Sequence, residues 1–271
     1  MNRRDWLAGA MALSIASPSR AAPGSNRPMT PPAPPVARRD PVVITQLGRT
    51  RTDEYAWMKD PDWQKVLRDP SVLKPEIRRH LEAENAYLRA VLAPTEPLQE
   101  TLFQEMKGRI REDDASAPEP DGPFAYLTRY ALGAQHPLHV RRPRAGGPEE
   151  VLLDEEAEAK GKPVYSVGAA GHSPDHRLYA WAVDEQGSEV YRIYIRDLAT
   201  GRVLPSPVES STGDFCFSPD SAWLFWTWRD DNGRPARIYR RPVRGRCAED
   251  VLVSTARDEG FFMGVRRCAS G

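Results

Sequence analysis

Three cysteines are all that the 271 residues contain, at 216, 247 and 268. They are too few and too scattered for a disulfide framework, and no C-x-x-C pair offers half of a zinc site. Charge of one sign is also lacking, because 38 basic side chains meet 38 acidic ones. A binder that works by blanket neutralisation of phosphates is therefore excluded, and no nucleic-acid partner is expected. No apolar run approaches the ~20 residues needed to cross a bilayer. The chain has no glycine-rich phosphate loop, no Walker motif and no G-x-S-x-G elbow. What remains is an ordinary globular composition, 40% hydrophobic and 28% charged, with no chemistry written into it.

Proline is the one residue in excess, at 26. Seven prolines fall between 23 and 41 without any periodicity (Pro23, Pro28, Pro31, Pro32, Pro34, Pro35 and Pro41), which reads as an extended linker. Before it, residues 1–22 read as an export signal. Arg3 and Arg4 supply the basic start, Leu7 to Ala16 the apolar stretch, and Ser19-Arg20-Ala21 a small-x-small cleavage site. Arg3-Arg4 followed by Asp5, Trp6 and Leu7 is similar to the twin-arginine motif. A periplasmic or exported location is expected, the alternative being a chance Arg-Arg pair in a cytoplasmic protein. Folded structure is expected from Val42.

Residues 42–115 read as a helical arm. Apolar residues recur at three- and four-residue steps in Ile77, Leu81, Ala83, Tyr87, Leu88, Val91 and Leu92, as one helix face requires. Pro94-Thr95 is expected to end that helix, with Thr95 capping a second that shows Leu98, Leu102, Phe103, Met106 and Ile110 on one side. Both stripes call for a partner. Glu112-Asp113-Asp114 reads as a turn, and the acidic stretch 149–158 as a solvated loop.

From Phe124 the period shortens to two, as in Tyr191 to Arg196. The chain also repeats itself. Ser173-Pro174-Asp175 returns as Ser218-Pro219-Asp220, Arg192-Ile193-Tyr194-Ile195-Arg196 as Arg237-Ile238-Tyr239-Arg240-Arg241, and Trp181 as Trp226, each 45 residues on. Glu149 to Leu153 has a weaker echo in Glu249 to Val253. A period near 45 with about four strands per unit is the signature of β-propeller blades. The expected fold is mainly β: an incomplete propeller over 116–271, preceded by the arm. Its units fall at 124–154 (a partial one), 164–204 and 213–253, with a further strand opening at Phe261 to Val265. Propellers close with 4–8 blades, so roughly two and a half cannot close a ring.

No catalytic, cofactor-binding or metal-ligating residue is assigned, and no cofactor is expected. Gly171-His172-Ser173-Pro174-Asp175 collects a serine, two potential partners and a glycine, but Asp175 stands where an elbow needs its second glycine. Ser173 reads instead as a blade corner. His136 and His139 have H-x-x-H spacing; Pro137 rules out a helix between them, and a strand would point them apart, so surface positions are expected. His172 and His176 read the same way. Cys216 reads as a small core residue, and Trp223, Trp226 and Trp228 as packing between blades.

Several longer strings carry a resemblance. They are Pro34-Pro35-Val36-Ala37-Arg38, then Arg51 to Asp60 (RTDEYAWMKD), His80 to Tyr87 (HLEAENAY), Ala93-Pro94-Thr95 and Glu105 to Ile110 (EMKGRI). Glu189-Val190-Tyr191 and Asp197 to Gly201 continue it into the blades. In these, residues 34–271 resemble the prolyl oligopeptidase family of serine peptidases, on its oligopeptidase B (protease II) branch. The resemblance implies a seven-bladed propeller that filters short peptides by size. It also implies a following α/β-hydrolase domain with a Ser-Asp-His triad, which cuts after Arg or Lys and packs on the arm. No triad position falls within these 271 residues, so the chain alone is expected to be inactive, as a truncated sequence or the product of a broken gene. The alternative is a non-catalytic, propeller-like binding module that completes its ring by oligomerising.

Overall fold

The computed structural model describes residues 32–268; the proposed signal and residues 23–31 of the linker lie outside them. Residues 32–41 run without helix or strand. A hairpin follows, β1 (Val42–Gln46) against β2 (Arg49–Asp53), turning at Leu47-Gly48. Three helices then complete the arm: α1 (Trp63–Arg68), α2 (Pro75–Leu92) and α3 (Glu96–Gly108).

The first three strings that carry the resemblance meet in space here. The Trp57 indole N–H donates to the Arg38 carbonyl at 2.9 Å, and its ring meets His80 edge-on at 5.8 Å. The Arg38 guanidinium lies 4.9 Å over that indole and pairs with Glu76 at 3.0 Å. Asp60, buried nearby, accepts from the backbone N–H groups of Asp62 (2.9 Å) and Lys74 (3.1 Å). Those bonds hold its carboxyl below the usual range and fix the entry to α2, where Pro75 takes the first turn.

As expected, α2 ends at Leu92, just before Pro94-Thr95, and α3 begins just after it, at Glu96. Ala93–Thr95 form a single 3₁₀ turn, and Thr95 keeps helical dihedrals instead of capping. Its hydroxyl donates backwards to the Leu92 carbonyl at 2.7 Å. Proline in the first turn of a helix removes an N–H that has no partner anyway, so the 3₁₀ turn joins α2 to α3 without leaving helical dihedrals. The apolar stripes are bare: Ile77 alone is buried on α2, and Leu98, Leu102, Phe103, Met106 and Ile110 are all exposed.

The β region holds two sheets. The four-stranded sheet runs β3 (Glu119–Asp121), β4 (Phe124–Arg129), β5 (Leu138–Pro143), β6 (Glu150–Asp154) in chain order. The unit expected at 124–154 is thus a full blade, because β3 precedes it. After the short α4 (Glu155–Ala159) comes a seven-stranded sheet: β7 (Ser166–His172), β8 (Leu178–Asp184), β9 (Tyr191–Asp197), β10 (Val208–Phe217), β11 (Trp223–Arg229), β12 (Pro235–Pro242) and β13 (Val251–Thr255). All neighbours are antiparallel.

That sheet is two blades joined by one strand. The start of β10 pairs with β9 (Val208 with Ile193), and its end pairs with β11 (Phe217 with Leu224). The changeover needs an abrupt bend. Ser210 sits at φ +59° and Gly213 at φ +98°, and the Tyr191 ring stands 3.1 Å from where a Cβ on Gly213 would be. A bulge built on glycine meets both demands.

The 45-residue repeat is visible as geometry. Trp181 stacks on Tyr194 with centroids 5.6 Å apart, and Trp226 on Tyr239 at 5.9 Å. Ser173 Oγ and Ser218 Oγ each donate to the aspartate two residues on at 2.5 Å and accept the N–H five residues on. One apolar cluster joins the second and third blades through Ala180, Ala182, Ile193, Leu224 and Trp226. Another joins the first and second through Leu152, Leu153, Tyr165, Trp181 and Val183. The strand expected at Phe261–Val265 does not form. That segment is irregular, tied down by Met263 N–H to the Pro235 carbonyl (3.0 Å) and Val265 N–H to Asp214 Oδ2 (3.0 Å).

Candidate functional site

Four histidines, at 136, 139, 172 and 176, gather at the seam between the first and second blades. His139 stands on β5 where the other two blades carry Tyr194 and Tyr239: Leu138-His139-Val140-Arg141 matches Ile193-Tyr194-Ile195-Arg196. Its Nε2 lies 2.5 Å from Glu155 Oε1, at the start of α4. Its Nδ1 lies 2.9 Å from the Tyr179 hydroxyl on β8. An ionised carboxylate only accepts, so Nε2 carries the proton and Nδ1 accepts from Tyr179. His136 also approaches Glu155, at 3.9 Å.

Three expectations from the sequence are corrected here. His139 is not a surface residue. His136 and His139 do not diverge, because His136 precedes the strand and alternation does not apply to it. The acidic stretch is not a solvated loop: it forms β6 and α4, and Glu155 is 5% exposed. Asp154 caps α4 by accepting from the Ala157 N–H at 2.9 Å.

A second group lies across the same seam. The Tyr126 ring of β4 stacks on His172 of β7 at 3.9 Å, and its hydroxyl is 2.7 Å from His176 Nδ1. His172 and His176 stack on each other at 4.9 Å. His176 N–H and His172 Nδ1 both reach the Ser173 carbonyl, at 2.9 Å each. His172 Nε2 faces Asp121 Oδ2 of β3 at 3.4 Å. Arg141 lies over the Phe124 ring at 4.0 Å and donates through Nη1 to the His176 carbonyl at 2.6 Å. These histidines are half-buried, against the expectation of open surface. Burial pushes the His172 imidazole below its ordinary value, and the nearby His176 and Arg267 push the same way. A cavity of about 510 Å³ opens beside the two groups, walled by Asp121, Tyr126, His139, His172, Tyr179 and Arg267.

The chemistry available here is not hydrolytic. Glu155–His139–Tyr179 has the form of a charge relay, but the Tyr179 hydroxyl is almost fully enclosed and burial holds its phenol far above its ordinary value. Ser173 is fully buried, with its Oγ committed to the turn. It is the blade corner its repeat suggests. Among the described residues no three His, Cys, Asp or Glu side chains gather in a metal-holding geometry. Cys216 is half-buried beside Asp214, and burial raises its thiol. Trp226 is buried, while Arg240 and Arg237 lie over Trp223 and Trp228 at 4.5 and 4.8 Å. The tryptophans are packing, not a platform.

Comparison with known proteins identifies the architecture. The model of the prolyl oligopeptidase N-terminal β-propeller domain matches residues 34–271. The chain is 35% identical over 251 residues to dipeptidyl aminopeptidase BI of Pseudoxanthomonas mexicana, across 86% of this chain and 34% of that protein. It is 27% identical over 247 residues to Protease 2 of Moraxella lacunata, across 88% of this chain and 34% of that one. Oligopeptidase B from Leishmania major superimposes with a TM-score of 0.75 at 28% identity, covering 83% of this chain and 33% of its own. Oligopeptidase B from Trypanosoma brucei, in a closed form with covalently bound antipain, gives 0.73 at 29%, with the same coverage. The chain therefore spans about a third of the length of these relatives.

Proposed function

The chain belongs to the prolyl oligopeptidase family, as its N-terminal β-propeller domain, and from that premise we propose that the whole protein is a serine oligopeptidase. The described residues supply its arm and three blades. A serine in the rest of the protein would attack the peptide carbonyl, a histidine would take its proton, and an aspartate would orient the histidine. That chemistry asks for no metal or organic cofactor. The propeller admits short peptides and turns folded proteins away, and cleavage falls after Arg or Lys.

The observation that carries this reading is the arm. Three of its distinctive strings meet at Trp57 through Arg38 and His80, while α3 leaves Leu98, Leu102, Phe103, Met106 and Ile110 uncovered. An apolar stripe of that kind needs a lid; an α/β-hydrolase domain following the propeller is the lid we propose. Residues 1–22 we assign to export by a twin-arginine-like route; fractionation that leaves Met1 intact in the cytoplasm sinks that assignment.

A second reading of the specificity is favoured by the 35% identical relative, a dipeptidyl aminopeptidase. The test is the whole protein against two Arg-containing fluorogenic peptides, one blocked at its amino terminus and one free. Cleavage of the blocked peptide supports the oligopeptidase. Release of dipeptides from the free peptide alone supports the second reading. No turnover of either, with no labelling by an organophosphonate serine reagent, overturns both. The 271-residue chain on its own is expected to turn over neither.

A further inference from the structure

The two seams between blades are built differently. The second and third blades share β10, so main-chain hydrogen bonds run unbroken from one to the other. The first blade is a separate sheet. Among the described residues, no backbone hydrogen bond joins a strand of that sheet to a strand of the second blade. Side chains hold this seam: the apolar cluster around Leu152, Leu153 and Trp181, the Tyr179–His139 bond, Arg196 Nη1 to the Leu152 carbonyl at 2.7 Å, and the stacked group of Tyr126, His172 and His176.

We propose that this seam is a proton-operated gate, whose latch is the stacked pair His172–His176 with Tyr126. In the closed seam His172 has little room for a charge. One face is covered by Tyr126 of the first blade, and His176 packs beside the ring at 4.9 Å; the bond from Nδ1–H to the Ser173 carbonyl favours the proton. The charged neighbours come from every element around it. Asp121 on β3 faces Nε2 and favours the proton. Arg267 from the C-terminal segment opposes it. Arg141 on β5 lies against His176 through its bond to the His176 carbonyl, its own guanidinium paired with Glu150 on β6 at 2.7 Å.

Burial outweighs both the Ser173 carbonyl and Asp121, and the imidazole is held below its ordinary value. Any state that exposes His172 to water must then bind the proton more readily, so acid shifts the population toward that state. Opening breaks no sheet ladder. It separates β4 and β5 from β7 and β8 and widens the 510 Å³ cavity that these strands wall. The inference stands on the seam and is independent of what the protein cleaves.

Hydroxyl-radical labelling of side chains on the full chain, read by mass spectrometry at about pH 7.5 and about pH 5.5 and corrected for the intrinsic reactivity of each residue, reads the gate directly. The expected result is confined to one seam. Labelling of Tyr126, Tyr179 and Trp181 rises by up to about tenfold per pH unit, the most that one linked proton allows, while Trp226, buried between the second and third blades, stays unlabelled. In His172→Gln, which keeps a polar group but cannot titrate, the rise disappears; His176→Gln is the companion variant should that one not fold. Labelling in the wild-type chain that is flat with pH, or that rises equally at Trp226, overturns the gate whatever the variants do.

Discussion

Arg241 and Ser206 lie on different blades, 35 residues apart, yet the Arg241 Nη1 donates to the Ser206 carbonyl at 3.0 Å. The same guanidinium holds Asp250 through Nε and Nη2 and lies 5.5 Å over the Trp226 ring. Each blade places an arginine at this point of its third strand: Arg141 reaches the His176 carbonyl and Arg196 that of Leu152. The series works as cross-ties, charged groups spent on the backbone of a neighbouring blade.

Removing one of these ties strands its partners. Arg241 is 4% exposed at the side chain and Asp250 25%. Arg241→Met is therefore expected to destabilise the chain by about 3–5 kcal/mol, the usual cost of leaving a buried charge unpaired. Adding Asp250→Leu should recover part of that loss. Urea unfolding of both variants measures it, and a loss in the single variant no larger than experimental scatter contradicts the cross-tie.

Ser173→Ala separates a corner residue from a nucleophile. Leu178 N–H loses its acceptor at 3.0 Å inside the core, and Asp175 loses a donor. The expected cost is about 1–3 kcal/mol, less in Ser218→Ala, where the turn is more open. Peptidase activity of the whole protein at a temperature where the variant stays folded should be unchanged; a collapse of turnover there would refute the structural role.

Acid should unfold the chain in two stages. His172 lies below its ordinary 6.5 when folded, so below that pH the unfolded chain takes up the proton more readily. Its contribution is complete above about 6.5 and is lost as pH falls through the lowered value. The carboxylates act further down. Asp60 is held below 3.8 by backbone N–H groups, Asp197 chiefly by Arg244, and Asp220 chiefly by Ser218. Their contribution is complete above 3.8 and fades only below it. The urea midpoint, followed from neutral pH downwards, should show an upper step that His172→Gln abolishes and a lower step that it leaves in place.

Trp57→Ala should free the start of the folded chain without unfolding the blades. It removes the N–H to Arg38, the ring under that guanidinium and the edge contact to His80. Trypsin is then expected to cut at Arg38 and Arg39 several-fold faster by mass spectrometry, with β7–β12 as resistant as before. Equal cutting rates would show that residues 34–39 are held by something else.

The blades that announce themselves in sequence are those whose marks are local. Ser-Pro-Asp followed by Trp, Tyr and Arg at fixed steps is one hairpin's worth of chain, so the second and third blades repeat legibly. The first is disguised: His139 replaces the tyrosine, Thr128 faces it where a tryptophan would be, and β3 is Glu119-Pro120-Asp121, with no apolar alternation to read. The helical arm is plain from its period, though not the continuity through Pro94, because a proline in a first turn looks like a breaker.

The seam was invisible for a different reason. Tyr126 meets His176 fifty residues on, and Tyr179 meets His139 forty residues back. No local pattern marks either pair, and each histidine taken singly reads as a surface residue. The double duty of β10 depends on a left-handed Ser210, which no propensity suggests.

The strand shared by the second and third blades bears on how this chain can be divided. A break within β10 would sever two blades at once, whereas Gly161, exposed between α4 and β7 at φ +80° with nothing within 4 Å of a Cβ position, lies between separate sheets. A gene split there yields one piece ending in a complete four-stranded blade and another beginning with two blades already stitched together. The two should find each other again through side chains alone, and nowhere between β7 and β13 is the chain separable on those terms.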